Sequence, residues 1–359
     1  MSLVFTEEQS LLQESALEYF AQHLPTSRFR DIRDAKGVVS CDAGAWQQMV
    51  DLGWSAMLLP ASIDGLEFGL LGMGLLVTEA GKTLAATPLS GAATLSVEAL
   101  LSCAESPARN QLLREIAEGT TMPAFAIGPA SLLASDLKSL DGGLEFVAEA
   151  RGADSLIALL ADDSAARVVV VDLNSPEVQR TAVNLIDWRD YAHLQFDNMV
   201  IAEDHSFGAN EGAAARLESV GAAMTAAELF GLSQEVFDRT IAYLCEREQF
   251  GRKIGSFQAL QHRMAKAYAQ LQLLKSVLYD ALTALEQQRD DVDLAVSHAK
   301  VLANDTAQLI GNEGIQLHGG MGITDELDIG LFYKRIRVLR SAYGSSAQHR
   351  ANFAKLSGL

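Results

Sequence analysis

A chain of 359 residues, 49% hydrophobic and 21% charged, exceeds the length at which one core usually divides and is too apolar for disorder, so two or three globular domains are expected. Its 28 Lys+Arg against 46 Asp+Glu leave a net charge of -18, which argues against nucleic acid or an anionic membrane surface as the main partner. Cys41, Cys103 and Cys245 are too few and too scattered for a disulfide framework or a metal site. No apolar run approaches the roughly 18 to 20 residues that span a bilayer, and MSLVFTEEQS lacks the basic start and apolar core of a leader, so a cytoplasmic protein is expected.

Residues 1–118 read as a helical domain. It begins at Thr6-Glu7-Glu8-Gln9, a capping-box pattern ahead of Leu12, Ala16, Tyr19 and Phe20. A polar stretch follows, then Trp46, Met49, Val50 and Leu52 mark a second amphipathic segment that Gly53 closes. LLPASIDGLEFG is a turn-rich loop. Residues 70–87 and 92–117 carry two more helix-compatible patterns, rich in alanine.

Residues 119–210 read as a β domain of short β-branched runs between turn signals. RVVVVDL, at residues 167–173, is apolar without alternation, as in a strand buried on both faces, whereas HLQFDNMVI alternates. Residues 211–359 contain no proline and return to the 3.6-residue period. Long helices are expected over 213–246, 256–288 and 292–317. The second carries Leu260, Met264, Tyr268, Leu271, Val277, Leu278, Leu282 and Leu285 near one face. A left-handed cap is expected at Gly319-Gly320, and one or two shorter helices after Asp325. Short connections imply an antiparallel bundle. The class is α+β, mainly α: an N-terminal helical domain, a middle β domain and a C-terminal four-helix bundle.

The stretch REQFGRKIGSFQALQ, residues 247–261, joins the first two bundle helices. An arginine, an aromatic and two glycines at such a turn suit an anion. Taken alone, they suit carbonyl capping and a helix stop equally well.

With IQLHGGMGIT closing the third bundle helix, this order of domains resembles the acyl-CoA dehydrogenase family, with fainter matches at FTEEQSLL, LGWSAMLLPASIDGLEFG and VTEAGKTLAATPL. The resemblance implies FAD-dependent oxidation of an acyl-CoA thioester to the 2-enoyl-CoA, with electrons passed to an electron-transfer flavoprotein. A carboxylate takes the α-proton in that reaction. By the same resemblance Arg247 contacts the FAD pyrophosphate, Phe250 lies on the ADP half, and Gln316, Gly319 and Gly320 touch that half. All five serve the flavin of the neighbouring subunit.

The chain departs from the family at the base. The segment that usually carries a glutamate reads Ala342-Tyr343-Gly344-Ser345-Ser346, which puts Tyr343 or Gly344 at the base position. The alternative position, in the first bundle helix, falls on Gly221; Glu218 and Glu228 are the nearest acids. Tyr343 is a poor base, since a phenol is protonated at neutral pH. It suits packing or hydrogen-bond donation. The flavin-ring segments are also eroded, to Ala126-Ile127-Gly128-Pro129 and to FVAEARGADSLIALLA, and Trp188 lies too far along to replace the lost tryptophan.

The lost features serve a subunit's own flavin and the kept ones serve a partner's. The expectation is therefore the base-lacking subunit of a heteromeric acyl-CoA dehydrogenase, assembled as a dimer of dimers, of the kind that acts on bulky, steroid-derived side chains. The alternatives are a self-sufficient homotetramer with a displaced base and a cofactor-free scaffold.

Overall fold

The computed structural model describes residues 5–41, 43–134, 137–162 and 165–359; Met1 to Val4, part of the amino terminus read above for a leader, lie outside the described residues. The helices are α1 (Glu7–His23), α2 (Thr26–Asp34), α3 (Ala43–Asp51), α4 (Gly69–Lys82), α5 (Val97–Leu101) and α6 (Pro107–Ala117). The strands that follow are β1 (Ala124–Pro129), β2 (Ser139–Ala148), β3 (Ser155–Ala161), β4 (Ala166–Asp172), β5 (Val178–Asn184), β6 (Asp190–Val200) and β7 (Ser206–Gly208). The remainder is α7 (Ala213–Glu246), a hairpin of β8 (Glu248–Gln249) and β9 (Arg252–Lys253), α8 (Gln258–Glu286), α9 (Val292–Leu317), α10 (Gly320–Ile323), α11 (Ile329–Leu339) and α12 (Ser346–Leu356).

Two compact units emerge. One comprises the chain up to Asp31 with Leu70–Ala85 and Ala222–Leu359; the other comprises Ile32–Gly69 with Ala86–Gly221.

The second unit is built on two sheets, in strand order β1-β3-β4-β7 and β2-β6-β5. They enclose one apolar core that includes Leu144, Leu156, Leu160, Val169, Leu194 and Phe196. β1 runs parallel to β3, and the other pairings are antiparallel. β3 is buried from Leu156 to Leu160. In the RVVVVDL strand, β4, Val168, Val169 and Val171 are buried, as its lack of alternation predicts, and β6 alternates over its first half. Bulges interrupt β2 between Leu140 and Gly142 and between Leu144 and Val147.

Three sequence expectations need correction here. The polar stretch after α1 holds a nine-residue helix, α2, which is polar on average but turns Phe29 inward. The single helix expected over 92–117 is a π-helical segment, Gly91–Ser96, followed by α5 and α6, because Ser106 caps a new start with Pro107 at its first position. The helix expected over 70–87 stops at Lys82.

In the first unit, Thr6 caps α1 by the reciprocal box its sequence predicts, accepting from Gln9 N at 3.1 Å while Gln9 Oε1 accepts from Thr6 N at 3.0 Å. α4 and α7 cross with their backbones in contact. A methyl group on Gly231 would lie 2.0 Å from the Thr78 carbonyl oxygen, and one on Gly81 2.8 Å from that of Glu228. Thr78 Oγ1 donates within its own helix to Gly74 O at 2.8 Å and reaches Ala227 O at 3.3 Å. α9 runs through the bundle, touching α8, α11 and α12. The apolar face of α8 buries Met264, Leu271, Leu278, Leu282 and Leu285, but Tyr268 is 52% exposed. It lies beside Phe237 at 5.9 Å between ring centroids.

Candidate functional site

α7 ends at Glu246, where Arg247 N still donates to Tyr243 O at 2.9 Å, and Ile254 N closes the following loop by donating to Arg247 O at 2.9 Å. Between these points β8 and β9 form a two-residue hairpin with Phe250 and Gly251 at its tip, at φ 55 and 77. Such hairpins need positive φ at both tip residues, which suits Gly251 and strains Phe250. Phe250 is 90% exposed. Inside the loop, Lys253 Nζ donates to Glu246 O at 2.8 Å, and Arg252 sits 4.0 Å over the Phe257 ring. Arg247 is exposed, and its guanidinium has no partner among the described residues.

The second motif lies beside the first. At the end of α9, His318 is buried and stacks on Tyr243 of α7, with ring centroids 4.4 Å apart and planes 29° apart. Its Nδ1–H donates to Gly314 O at 2.7 Å. Burial pushes the imidazole below its ordinary range, only partly offset by that hydrogen bond, so it stays neutral. Gln316, Gly319 and Gly320 are exposed around this anchor.

Gly319 has φ 60 and ψ -136, so the positive φ expected of a cap is present but the conformation is not left-handed helical; only glycine adopts it readily. A methyl group on Gly319 or Gly320 would meet nothing within 4 Å, so these backbones face open space. Gly322 differs: its methyl would lie 2.4 Å from Ile315 O, so glycine lets the chain fold back on α9. Tyr243, His318 and Gly322 were not singled out from sequence, although the histidine beside two glycines was a usable signal.

The five residues expected to contact FAD are thus an exposed, unpartnered guanidinium, an exposed aromatic, an exposed amide and two open glycines, with Tyr243 and His318 tying the two motifs together. They fit an anionic, planar-ringed ligand such as the ADP half of FAD. The negative net charge supplies no general attraction for such a ligand, so Arg247 would have to hold it locally.

The base positions look different. Tyr343 and Gly344 have φ 49 and 100. His349, buried on α12, fills the space behind them: its Nε2 donates to Tyr343 O at 2.8 Å while Nδ1 lies 3.3 Å from Ser297 Oγ. A methyl group on Gly344 would lie 2.5 Å from His349 Nε2. Gly221 is buried in α7, and Glu218 on the same helix is exposed. Glu228 is paired with Arg335, accepting at 2.7 and 3.0 Å. Of the eroded ring-side segments, Ala126, Ile127 and Gly128 are half-buried in β1. Phe146 stands on a bulge of β2 at φ 54, edge-on to His193 at 4.7 Å. Trp188, in the other unit from the motif pair, lies 5.4 Å beneath Arg33.

Among the described residues, no helix is long and apolar enough to cross a membrane, and no cluster of three or more potential metal ligands occurs.

Family models for the C-terminal and N-terminal domains of acyl-CoA dehydrogenase match residues 213–357 and 6–120. Acyl-CoA dehydrogenase IpdE2 of Mycolicibacterium smegmatis is 27% identical over 331 residues, covering 92% of each chain. A chain of the ChsE4-ChsE5 complex from Mycobacterium tuberculosis superposes with a TM-score of 0.90 at 21% identity, over 100% of this chain and 99% of that one. A chain of the Tcur3481-Tcur3483 steroid ACAD superposes with a TM-score of 0.87 at 22% identity, over 98% of both.

Proposed function

The chain belongs to the acyl-CoA dehydrogenase family, and on that premise we propose that it is one subunit of a mixed, FAD-dependent acyl-CoA dehydrogenase. It completes the ADP half of a partner subunit's cofactor site and supplies no base of its own. One contrast carries this reading: Arg247 is exposed with no partner among the described residues and Phe250 is 90% exposed, touching only the edge of the Phe257 ring at 6.1 Å, while both base positions lack an available carboxylate. The two-component complexes among its structural neighbours support it, and the steroid substrate class of one of them suggests a bulky acyl group.

FAD, when bound, supplies the acceptor for the substrate's β-hydride. In this chain Arg247 neutralises pyrophosphate charge, in the planar, forked geometry that suits phosphate oxygens. Phe250 covers the ADP portion and excludes water from it. Gln316 offers a hydrogen-bonding amide, and Gly319 and Gly320 admit the cofactor to the backbone. The proton from the α-carbon is taken by a carboxylate of the partner. Tyr343 packs or donates a hydrogen bond. Electrons leave to an electron-transfer flavoprotein, and the assembly is a cytoplasmic dimer of dimers with the bundle as its interface. The three-domain division at residues 118 and 210 belongs to the same reading.

The test is co-expression with a family member encoded beside this chain, followed by measurement of flavin per polypeptide. One FAD per two chains supports the mixed site. One per chain, or a lone chain that is yellow and oxidises acyl-CoA, overturns it in favour of a self-sufficient enzyme.

A further inference from the structure

Lys300 on α9 is wholly buried, with none of its surface exposed. Lysine is almost never so buried without a carboxylate beside it. Here both partners of its ammonium are neutral: Nζ donates to Asn304 Oδ1 at 2.9 Å and to the Leu339 carbonyl at 3.3 Å. The charge that bears on it is cationic. Burial foremost, and then the neighbouring Arg340, push its amine down to about 7.

Two donors nearby are unsatisfied. Asn304 is wholly buried, and its Nδ2 has no acceptor; the buried Nε of Arg340, at the end of α11, has none either. Turning the Asn304 amide over would set its NH₂ against the ammonium, donor against donor, so its orientation is fixed. Asp305, the acid that bears on Arg340 among the described residues, is committed to α12, where Ser346 Oγ donates at 3.0 Å and Arg350 pairs with it. Tyr333 and Arg337 on α11 also bear on Arg340, and His349 on α12 is engaged with Ser297 and Tyr343.

We propose that Lys300, Asn304 and Arg340 form an internal site for a small inorganic anion of halide size. Two buried donors without acceptors, beside two cations, suit a negative ion. Water accepts from about two donors and brings hydrogens that need acceptors of their own. The full burial of Lys300 and Asn304 favours a monatomic ion over phosphate, whose oxygens would each need further donors. Halide bound here holds Lys300 in its charged form, so binding weakens as the amine loses its proton.

The test is thermal unfolding of the full chain, alone or in its mixed complex, in sodium chloride or bromide against gluconate at constant ionic strength. The melting midpoint is expected to rise saturably with halide, and the apparent affinity to be weaker by about tenfold or more at pH 8.5 than at pH 6.5. Lys300→Met removes the halide effect and Arg350→Gln keeps it. A rise that does not saturate, that is equal in gluconate, or that persists in Lys300→Met means an adventitious ion only and overturns the proposal. If Lys300→Met fails to fold, the two pH values on the unaltered chain decide, and a halide effect independent of pH overturns it.

Discussion

His318 stacks on Tyr243 with ring centroids 4.4 Å apart, joining the end of α9 to the end of α7. This contact holds the loop with Arg247 and Phe250 beside the turn with Gln316, Gly319 and Gly320. Replacing Tyr243 by Ala is expected to cost about 1–3 kcal/mol of stability and to lower flavin retention in the mixed complex; Tyr243→Phe keeps both. Urea unfolding and the flavin-to-protein absorbance ratio measure the two effects.

The buried His318 also makes stability depend on pH. Its folded-state value lies below the ordinary one because burial penalises the charged ring. The unfolded chain therefore binds the extra proton more readily, and stability is complete above the unfolded imidazole value, about 6.5. It falls as pH drops through that value, by at most about 1.4 kcal/mol per pH unit from this group. Urea midpoints at pH 5.5 and 7.5 should differ more for the unaltered chain than for His318→Phe. Equal differences would remove His318 as the source.

Arg247 is exposed and unpartnered, so Arg247→Ala is expected to change stability by no more than about 0.5 kcal/mol while releasing flavin from the mixed complex. Under a cofactor-free scaffold, flavin content would not respond. Phe250→Asn should separate stability from function in the opposite sense. Relief of a left-handed aromatic stabilises the hairpin by about 1 kcal/mol, and loss of the ring weakens FAD binding. Denaturant midpoint and flavin content together report both.

Installing a carboxylate at Gly344, one of the two candidate base positions, should not create a base. In Gly344→Glu the new side chain must leave a backbone at φ 100, with its first carbon 2.5 Å from His349 Nε2. A loss of roughly 1–3 kcal/mol is expected, with no dehydrogenase activity from the lone chain; His349→Ala in the same background recovers part of the stability. Recovery of activity in the single variant would contradict the assignment of the base to a partner.

At the α4–α7 crossing, Gly231→Ala places a methyl 2.0 Å from the Thr78 carbonyl oxygen. Neither backbone can yield without opening the crossing, so a loss above about 3 kcal/mol is expected, visible as insoluble expression or a large drop in the urea midpoint. Gly330→Ala, near the start of α11 and open to space, should be neutral or stabilising by up to about 1 kcal/mol.

Local chemistry written in short stretches was legible without coordinates. The capping box at Thr6 and Gln9, the apolar run from Val168 to Val171, and the long helices α7 and α9 all follow from periodicity and caps that depend only on neighbours in sequence. The two motifs were visible for the same reason. Sequence did not show that Arg247 stands unpartnered, that Glu228 is spent on Arg335, that His349 closes the space beside Gly344, or that Lys300 is buried without a carboxylate. Each depends on which distant side chains share a space, as does the π-helical break at Gly91–Ser96 in a run that reads as one helix. Spacing along the chain fixes which residues can form an element; only the packing of elements decides which of their charges and carbonyls are left without partners.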